Sequence, residues 1–330
     1  DASVASNLKG LGIQLPAPLY KTAKQSKNIK ATFKQTGSRP SIVIHYDDKV
    51  DVTLASLSNK HLFDSLKLDV KVAELDIEKW LLWNEQHQKD GRSVSGINQL
   101  AVNIGQLKGY GQQFSDVNLT AQKQKRHWRA SIASQAIKGT VSLPDNISQQ
   151  GVLGIDLERL ALSLPQKTIG EVQAGKRAKL WPSMVINVDE LMLDDLQLGH
   201  FKLISHQENN KWVINSANIS SEVYNGVVTH GVWQQSASGE KTALAIRIDS
   251  RDFAGLLEKL GYQPLLEAEK SKLVMAFSWL GDPLAFSQQT IKGALNFKIE
   301  KGKLKDIEPG AAGRVFGLLS VAAIPRRLAL

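Results

Sequence analysis

Residues 273–279, Leu-Val-Met-Ala-Phe-Ser-Trp, place large apolar side chains at every second position, and residues 295–299, Leu-Asn-Phe-Lys-Ile, repeat this alternation more sharply. Successive side chains of a β-strand point to opposite faces of the sheet. A period of two therefore predicts a strand with one apolar face and one wetter face. Antiparallel sheets tolerate water on one face, so strands of this kind favour an antiparallel meander.

The same alternation recurs in four further stretches that begin at Val50, Leu68, Met184 and Leu244. Together the stretches predict a mainly all-β fold, in which an extended, repetitive antiparallel sheet curves into an open groove or an incomplete barrel. The residues predicted to line the groove or the core are Leu68, Val70, Val72, Ile186, Val188, Leu244, Ile246, Ile248, Leu273, Met275, Phe277, Trp279, Leu295, Phe297 and Ile299. An open groove and a filled core need the same apolar face, so the pattern leaves both possible.

A few short helices are expected to cap the sheet. Asp252 is a suitable N-cap for a helix over residues 253–260, which carry apolar side chains at helical spacing. Asp76 is suitable for a second helix, in which Ile77, Trp80 and Leu81 would point inward.

The C-terminal stretch from Lys301 onward predicts a further helix and an abrupt end. Pro309 suits the first position of a helix, and Glu308 places a carboxylate beside that start. Leu328 and Leu330 alternate as if another strand were beginning. We therefore expect the chain to be a fragment of one extended repetitive β architecture over residues 1–330.

An internal repeat supports this architecture. Residues 102–107 lie as far before Trp128 as residues 186–191 lie before Trp212, so the two copies keep a constant offset. The repeat-like segments are 102–145 and 186–233. A recurrent unit of several strands indicates that each unit closes its apolar face against its neighbours.

Charge and composition narrow the classes of function. The net charge is +9, and part of it lies in an N-terminal stretch without acidic residues, with Lys21, Lys24, Lys27 and Lys30. Such a stretch is either a solvated loop or a surface that attracts anionic phospholipid headgroups. Basic residues elsewhere alternate with acidic ones and no nucleic-acid motif is present, which argues against nucleic-acid partners. The absence of cysteine excludes disulfides and thiolate metal sites.

Catalytic and cofactor motifs are also missing. The seven histidines show no metal-ligand spacing, and neither a Gly-rich phosphate loop nor a GxSxG elbow occurs. The pairs Asp47-Asp48 and Asp194-Asp195 are typical of polar turns. The seven tryptophans fit core positions better than a carbohydrate-binding platform, because Trp128 and Trp212 hold equivalent places in the repeat. The sequence thus predicts a non-enzymatic protein without metal or cofactor.

Three blocks of sequence resemble the AsmA-like family, most closely its YhdP branch. They are residues 252–262, residues 277–283, and the set Glu308-Pro309-Gly310 to Pro325-Arg326-Arg327-Leu328. The resemblance marks 237–330 as the C-terminal motif region, cut before its end. It also implies a periplasmic location, with an inner-membrane anchor upstream of the present chain.

The resemblance further implies a role in moving phospholipid between the inner and outer membranes and in maintaining the outer-membrane barrier. The implied partners are phospholipid acyl chains, the inner membrane through the missing anchor, and other envelope proteins. An apolar trough is suitable for this role, because burying a methylene gains about 0.8 kcal/mol without any polar contact. The alternative is a passive β-solenoid spacer, or an adhesin-like or polysaccharide-binding module.

Overall fold

A computed structural model of the chain describes residues 1–36, 39–58, 65–87, 96–145, 151–163, 180–259, 266–285 and 291–304. The predicted fold class is confirmed: the described part is all-β, with 17 strands and two short helices. It divides into two compact units, Asp1–Asp145 and Asn146–Leu330. The predicted helix at Pro309 and the alternation at Leu328 lie outside the described residues.

The first unit is a sheet whose strands follow one another in chain order. Its elements are β1 (Ala2–Ser6), β2 (Ile29–Thr36), β3 (Arg39–Tyr46), β4 (Val50–Ser56), β5 (Leu66–Asp76), α1 (Ile77–His87), β6 (Ile97–Gly109), β7 (Gln112–Gln124), β8 (His127–Ala133) and β9 (Ile137–Pro144). Each strand pairs antiparallel with the next, except β5 and β6.

The second unit repeats this arrangement. Its elements are β10 (Val152–Leu162), β11 (Ser183–Leu193), β12 (Leu196–Glu208), β13 (Lys211–Ser220), β14 (Tyr224–Ser236), β15 (Gly239–Ser250), α2 (Phe253–Lys259), β16 (Leu266–Leu280) and β17 (Lys292–Leu304). All six alternating stretches of the sequence are strands, namely β4, β5, β11, β15, β16 and β17. The starts of β7 and β12 are separated by the offset of the sequence repeat, as are the starts of β8 and β13.

Two pairings depart from the antiparallel expectation. The strands β5 and β6 are parallel, with Val70 beside Val102, and β10 and β11 are parallel, with Ile155 beside Ile186. Parallel neighbours need a long crossover connection, and the segments 77–96 and 163–182 are both long enough to supply one. The sequence prediction was wrong at these two points because the period-two pattern does not record strand direction.

Gly105 of β6 lies against the backbone of β5. A Cβ at this position would come within 2.6 Å of the Ala73 carbonyl oxygen, a backbone atom that cannot move aside alone. We therefore expect Gly105→Ala to lower the free energy of unfolding by about 1 to 3 kcal/mol, the usual cost of overpacking. Chemical denaturation of the full chain measures this change. Gly12→Ala is the control, because its nearest contact would be at 3.8 Å; an equal loss in both variants would contradict the explanation.

The two helices begin where the sequence predicts. Asp252 caps α2, since its Oδ1 accepts a hydrogen bond from the Gly255 amide at 2.9 Å. Asp76 Oδ1 accepts one from the Lys79 amide at 3.2 Å at the start of α1. The expected orientation of α1 is wrong for two of its three residues, because the side chains of Ile77 and Leu81 are exposed to solvent and only that of Trp80 is half-buried.

Candidate functional site

One face of the first unit carries three rows of side chains that run across strands β2 to β7. Residues directly paired across a sheet share a face, so the pairing register defines each row. The first row is Ile29, Tyr46, Val50, Val72, Ile104 and Val117. The second row is Ala31, Ile44, Val52, Val70, Val102 and Leu119. The third row is Phe33, Ile42, Leu54, Leu68, Leu100 and Ala121.

The three rows consist mainly of apolar side chains, but they differ in how deeply these side chains are buried. In the first row Tyr46, Val50 and Val72 are at most 6% exposed, and Val117 is fully buried. Every member of the second row is only half-buried. The third row is half-buried as well, apart from the exposed Phe33. The second and third rows thus form an apolar surface that the described residues cover incompletely.

The N-terminal loop and α1 meet beside the first row. The Tyr46 hydroxyl donates a hydrogen bond to the Leu19 carbonyl oxygen at 3.3 Å. Trp80 Nε1 donates one to the Ala17 carbonyl oxygen, also at 3.3 Å. The first contact holds the loop against Tyr46, one of the buried residues of the first row.

The second unit carries a comparable face on β14 to β17. One row comprises Val228, Ile246, Met275 and Leu295. The next comprises Gly231, Leu244, Phe277 and Gly293, and on the other side lies a row of Gly226, Ile248, Leu273 and Phe297. The glycines leave room for large neighbours, since a Cβ on Gly293 would approach the Phe277 ring to 2.5 Å.

Two packed clusters occupy other parts of this unit. In the tryptophan cluster, the Trp181 ring lies 5.1 Å from that of Trp212 and 5.9 Å from that of Trp233, in edge-to-face arrangements. Ile186 packs against this cluster. In the helix cluster, the Phe253 ring of α2 lies 5.0 Å from the Phe297 ring. These tryptophans therefore serve as core residues.

The clusters separate the predicted lining residues of the second unit into two groups. Ile248, Phe297 and Ile299 pack against the helix cluster, and Val188 is fully buried. Met275 and Trp279 are also buried, at 7% and 6% exposure. The remaining residues are half-buried and belong to neither cluster; we call them the open stretch: Leu244, Ile246, Leu273, Phe277 and Leu295.

The four basic residues expected to attract headgroups differ in their surroundings. Lys21 is fully buried, and its Nζ donates hydrogen bonds to the carbonyl oxygens of Leu11 at 2.6 Å and Thr22 at 3.1 Å. Lys27 forms an ion pair with Asp47, and the hydrogen bond between them raises the pKa of Lys27. Lys24 and Lys30 are exposed. Of the four ammonium groups, only these last two are presented freely to the surface.

Tyr224 is buried at the start of β14 in the second unit. Its hydroxyl donates a hydrogen bond to the Leu198 carbonyl oxygen at 2.5 Å, and burial raises its pKa from 10.0 to about 12. The unfolded chain therefore ionises at a lower pH than the folded one. Stability should be complete below pH 10 and fall by about 2 to 3 kcal/mol as the pH rises to 12. Urea titrations across this range should show that loss in the native chain and not in Tyr224→Phe; parallel curves would contradict it.

The described carboxylate and histidine side chains lie mainly in turns and on strand surfaces, and no three of them are grouped so as to hold a metal ion. Asp194 and Asp195 form the two-residue connection between β11 and β12, and Asp47 and Asp48 lie between β3 and β4. Asp47, Asp48 and Asp194 adopt positive φ angles of 49° to 51°, which suits hairpin turns.

Comparison with known protein families gives a match over the whole chain. A family model described as "YhdP protein" matches residues 1–330. The chain belongs to the YhdP family. Membership in the YhdP family is consistent with a lipid-transport-related protein of the cell envelope. No curated protein and no solved structure matches the chain. Neither helix of the described part of this YhdP-family chain is long and apolar enough to cross a membrane.

Sequence reasoning missed several members of the candidate surface in this YhdP-family chain. Ile44, Val102 and Leu119 complete the second row, but none was selected as a lining residue. The internal repeat could have indicated two of them. Val102 is the first residue of the repeated segment 102–107, and Leu119 is equivalent to Leu203 at the repeat offset. Only the register shows that these residues continue the row formed by Val52 and Val70.

Proposed function

We propose that this YhdP-family chain is a non-enzymatic lipid-binding segment of an inner-membrane-anchored periplasmic protein that transfers phospholipid between the inner and outer membranes. The supporting observation is the half-burial of the second and third rows of the first unit. The open stretch of the second unit offers a similar surface. A passive spacer would gain stability by filling such faces with its own side chains, so their incomplete cover favours lipid binding.

The dimensions of the second row suit an acyl chain. Strands lie about 4.8 Å apart, so six strands give a row about 24 Å long. A bilayer core about 30 Å thick contains two leaflets, so one acyl chain extends about 15 Å. The row is therefore long enough to contact a whole chain.

The energetics suit transfer rather than storage. A methylene gains about 0.8 kcal/mol when it leaves water, either in a membrane or against an apolar protein face. The free energy of moving an acyl chain between the membrane and the apolar protein face is then close to zero. Lipid could pass without a chemical step, because the surface only has to replace the contacts that the acyl chain loses.

Native mass spectrometry tests the proposal directly. The chain, purified from membranes, should carry masses that correspond to phospholipid. After delipidation it should regain them on incubation with phosphatidylethanolamine and phosphatidylglycerol vesicles. Protein that stays lipid-free after this incubation would contradict the proposal and favour the spacer alternative.

A further inference from the structure

A polar cleft lies at one end of strands β14 to β17 in the second unit. Its volume is about 660 Å³, within the range of small-molecule sites. The lining combines both faces of the sheet. Tyr224, Ser250 and Ser271 continue the apolar face, whereas Asp249 and Lys272 belong to the polar face. The cleft therefore opens beside the row that contains Leu273.

Charges in the cleft do not cancel. Its charged lining residues are Glu222, Asp249, Arg251, Lys270, Lys272, Lys298 and Glu300. Two of the three carboxylates are already engaged: Asp249 accepts a hydrogen bond from Arg247 Nε, and Glu300 pairs with Lys298, each at 2.9 Å. The hydrogen bond from Lys298 lowers the pKa of Glu300, and the charge of Lys270, its cross-strand neighbour, lowers it further.

After these ion pairs are formed, three basic lining residues and one carboxylate have no ion-pair partner among the described residues. Arg251, Lys270 and Lys272 are exposed and form no ion pair within 4 Å with another residue in the described part of the chain. Glu222 is the lining carboxylate that remains. Lys270 and Lys272 are also cross-strand neighbours of Glu300 and Asp249, but each of these carboxylates has another cation as its ion-pair partner. Arg and Lys donors that converge without carboxylate partners are the usual ligands of phosphate oxygens.

We propose that this cleft binds a phosphate ester, with Arg251, Lys270 and Lys272 as its main contacts. The volume exceeds that of a phosphate group, which leaves space for the alcohol part of the ester. A phospholipid headgroup and a soluble phosphorylated compound share this chemistry. The site does not depend on acyl-chain binding and therefore stands independently of the proposed transfer function.

Isothermal titration calorimetry with glycerol 3-phosphate tests the site on the full chain. We expect saturable binding that weakens as salt rises. The double substitution Lys270→Gln and Lys272→Gln should weaken it at least tenfold. The matched control is the double substitution Lys211→Gln and Lys241→Gln. Both lysines are exposed, and each lies at the end of its strand that is away from the cleft. Absent binding, or equal loss in both double variants, would overturn the proposal.

Vesicle flotation distinguishes the two sources of phosphate. If lipid headgroups are the ligand, binding to vesicles with phosphatidylglycerol should exceed binding to pure phosphatidylcholine and should fall in the Lys270/Lys272 double variant. If a soluble ester is the ligand, glycerol 3-phosphate should bind while the two vesicle types bind equally. A chain that fails the lipid mass test but binds glycerol 3-phosphate would overturn the proposed function and retain this cleft.

Discussion

Replacing Val102 with Asp is expected to reduce bound phospholipid at least tenfold. Val102 lies in the middle of the second row, between Val70 and Leu119, and it is half-buried. A carboxylate there would keep water on the surface and displace neighbouring acyl methylenes. Losing contact with two methylenes costs about 1.6 kcal/mol, which corresponds to slightly more than a tenfold loss of affinity. Titration with a fluorescent phospholipid measures the change.

Asn103→Asp is the matched control for this variant. Asn103 is the next residue of β6, is exposed, and points to the opposite face of the sheet. It should bind lipid like the native chain. Val102→Thr, which keeps the shape but adds a hydroxyl, should retain the fold and lose only a few-fold in affinity. Equal phospholipid binding by all three variants would contradict a role for the second row in lipid binding.

Replacing Trp233 with Ala is expected to cause the largest loss of stability, about 3 to 5 kcal/mol. Trp233 is fully buried, its ring lies 5.9 Å from that of Trp181, and its Nε1 donates a hydrogen bond to Glu240 Oε2 at 3.3 Å. Urea denaturation followed by far-UV circular dichroism measures the loss.

Two further variants separate packing from other causes. Trp233→Phe keeps an aromatic ring beside Trp181 and should lose less than the alanine variant. Val185→Ala changes an exposed residue of the same unit, at 43% exposure, and should alter stability by less than about 0.5 kcal/mol. A loss below about 1 kcal/mol for Trp233→Ala would contradict the packed tryptophan cluster.

The strands were predictable because alternation is a local property. Leu273, Met275 and Phe277 reveal a strand from their own spacing, and Leu295 and Phe297 do the same. Strand direction was not predictable, because the parallel pairing of β5 with β6 depends on the long connection between them and on the close approach at Gly105. The pairing partner of a strand is a long-range property that the pattern does not contain.

The sequence predicted which face of each strand is apolar, but it did not predict which parts of that face other residues cover. Phe277 and Phe297 have the same alternation, yet Phe297 packs against Phe253 of α2 whereas Phe277 lies outside both clusters. The difference comes from a helix that is distant in sequence. The burial of Lys21 was not predictable for a similar reason. Its ammonium group binds two backbone carbonyl oxygens that the fold of the N-terminal loop brings together, and sequence spacing does not show this fold.

Photo-crosslinking from Phe277 tests the central claim most directly. Benzoylphenylalanine at this half-buried position keeps the aromatic shape, and Phe297 and Trp279 are less suitable because both are packed. Val274 is the control, since it is apolar, 40% exposed and on the opposite face of β16. With phospholipid vesicles present, we expect lipid adducts from position 277 and few from position 274. Equal yields from both positions, or none from position 277, would contradict a lipid-binding apolar face.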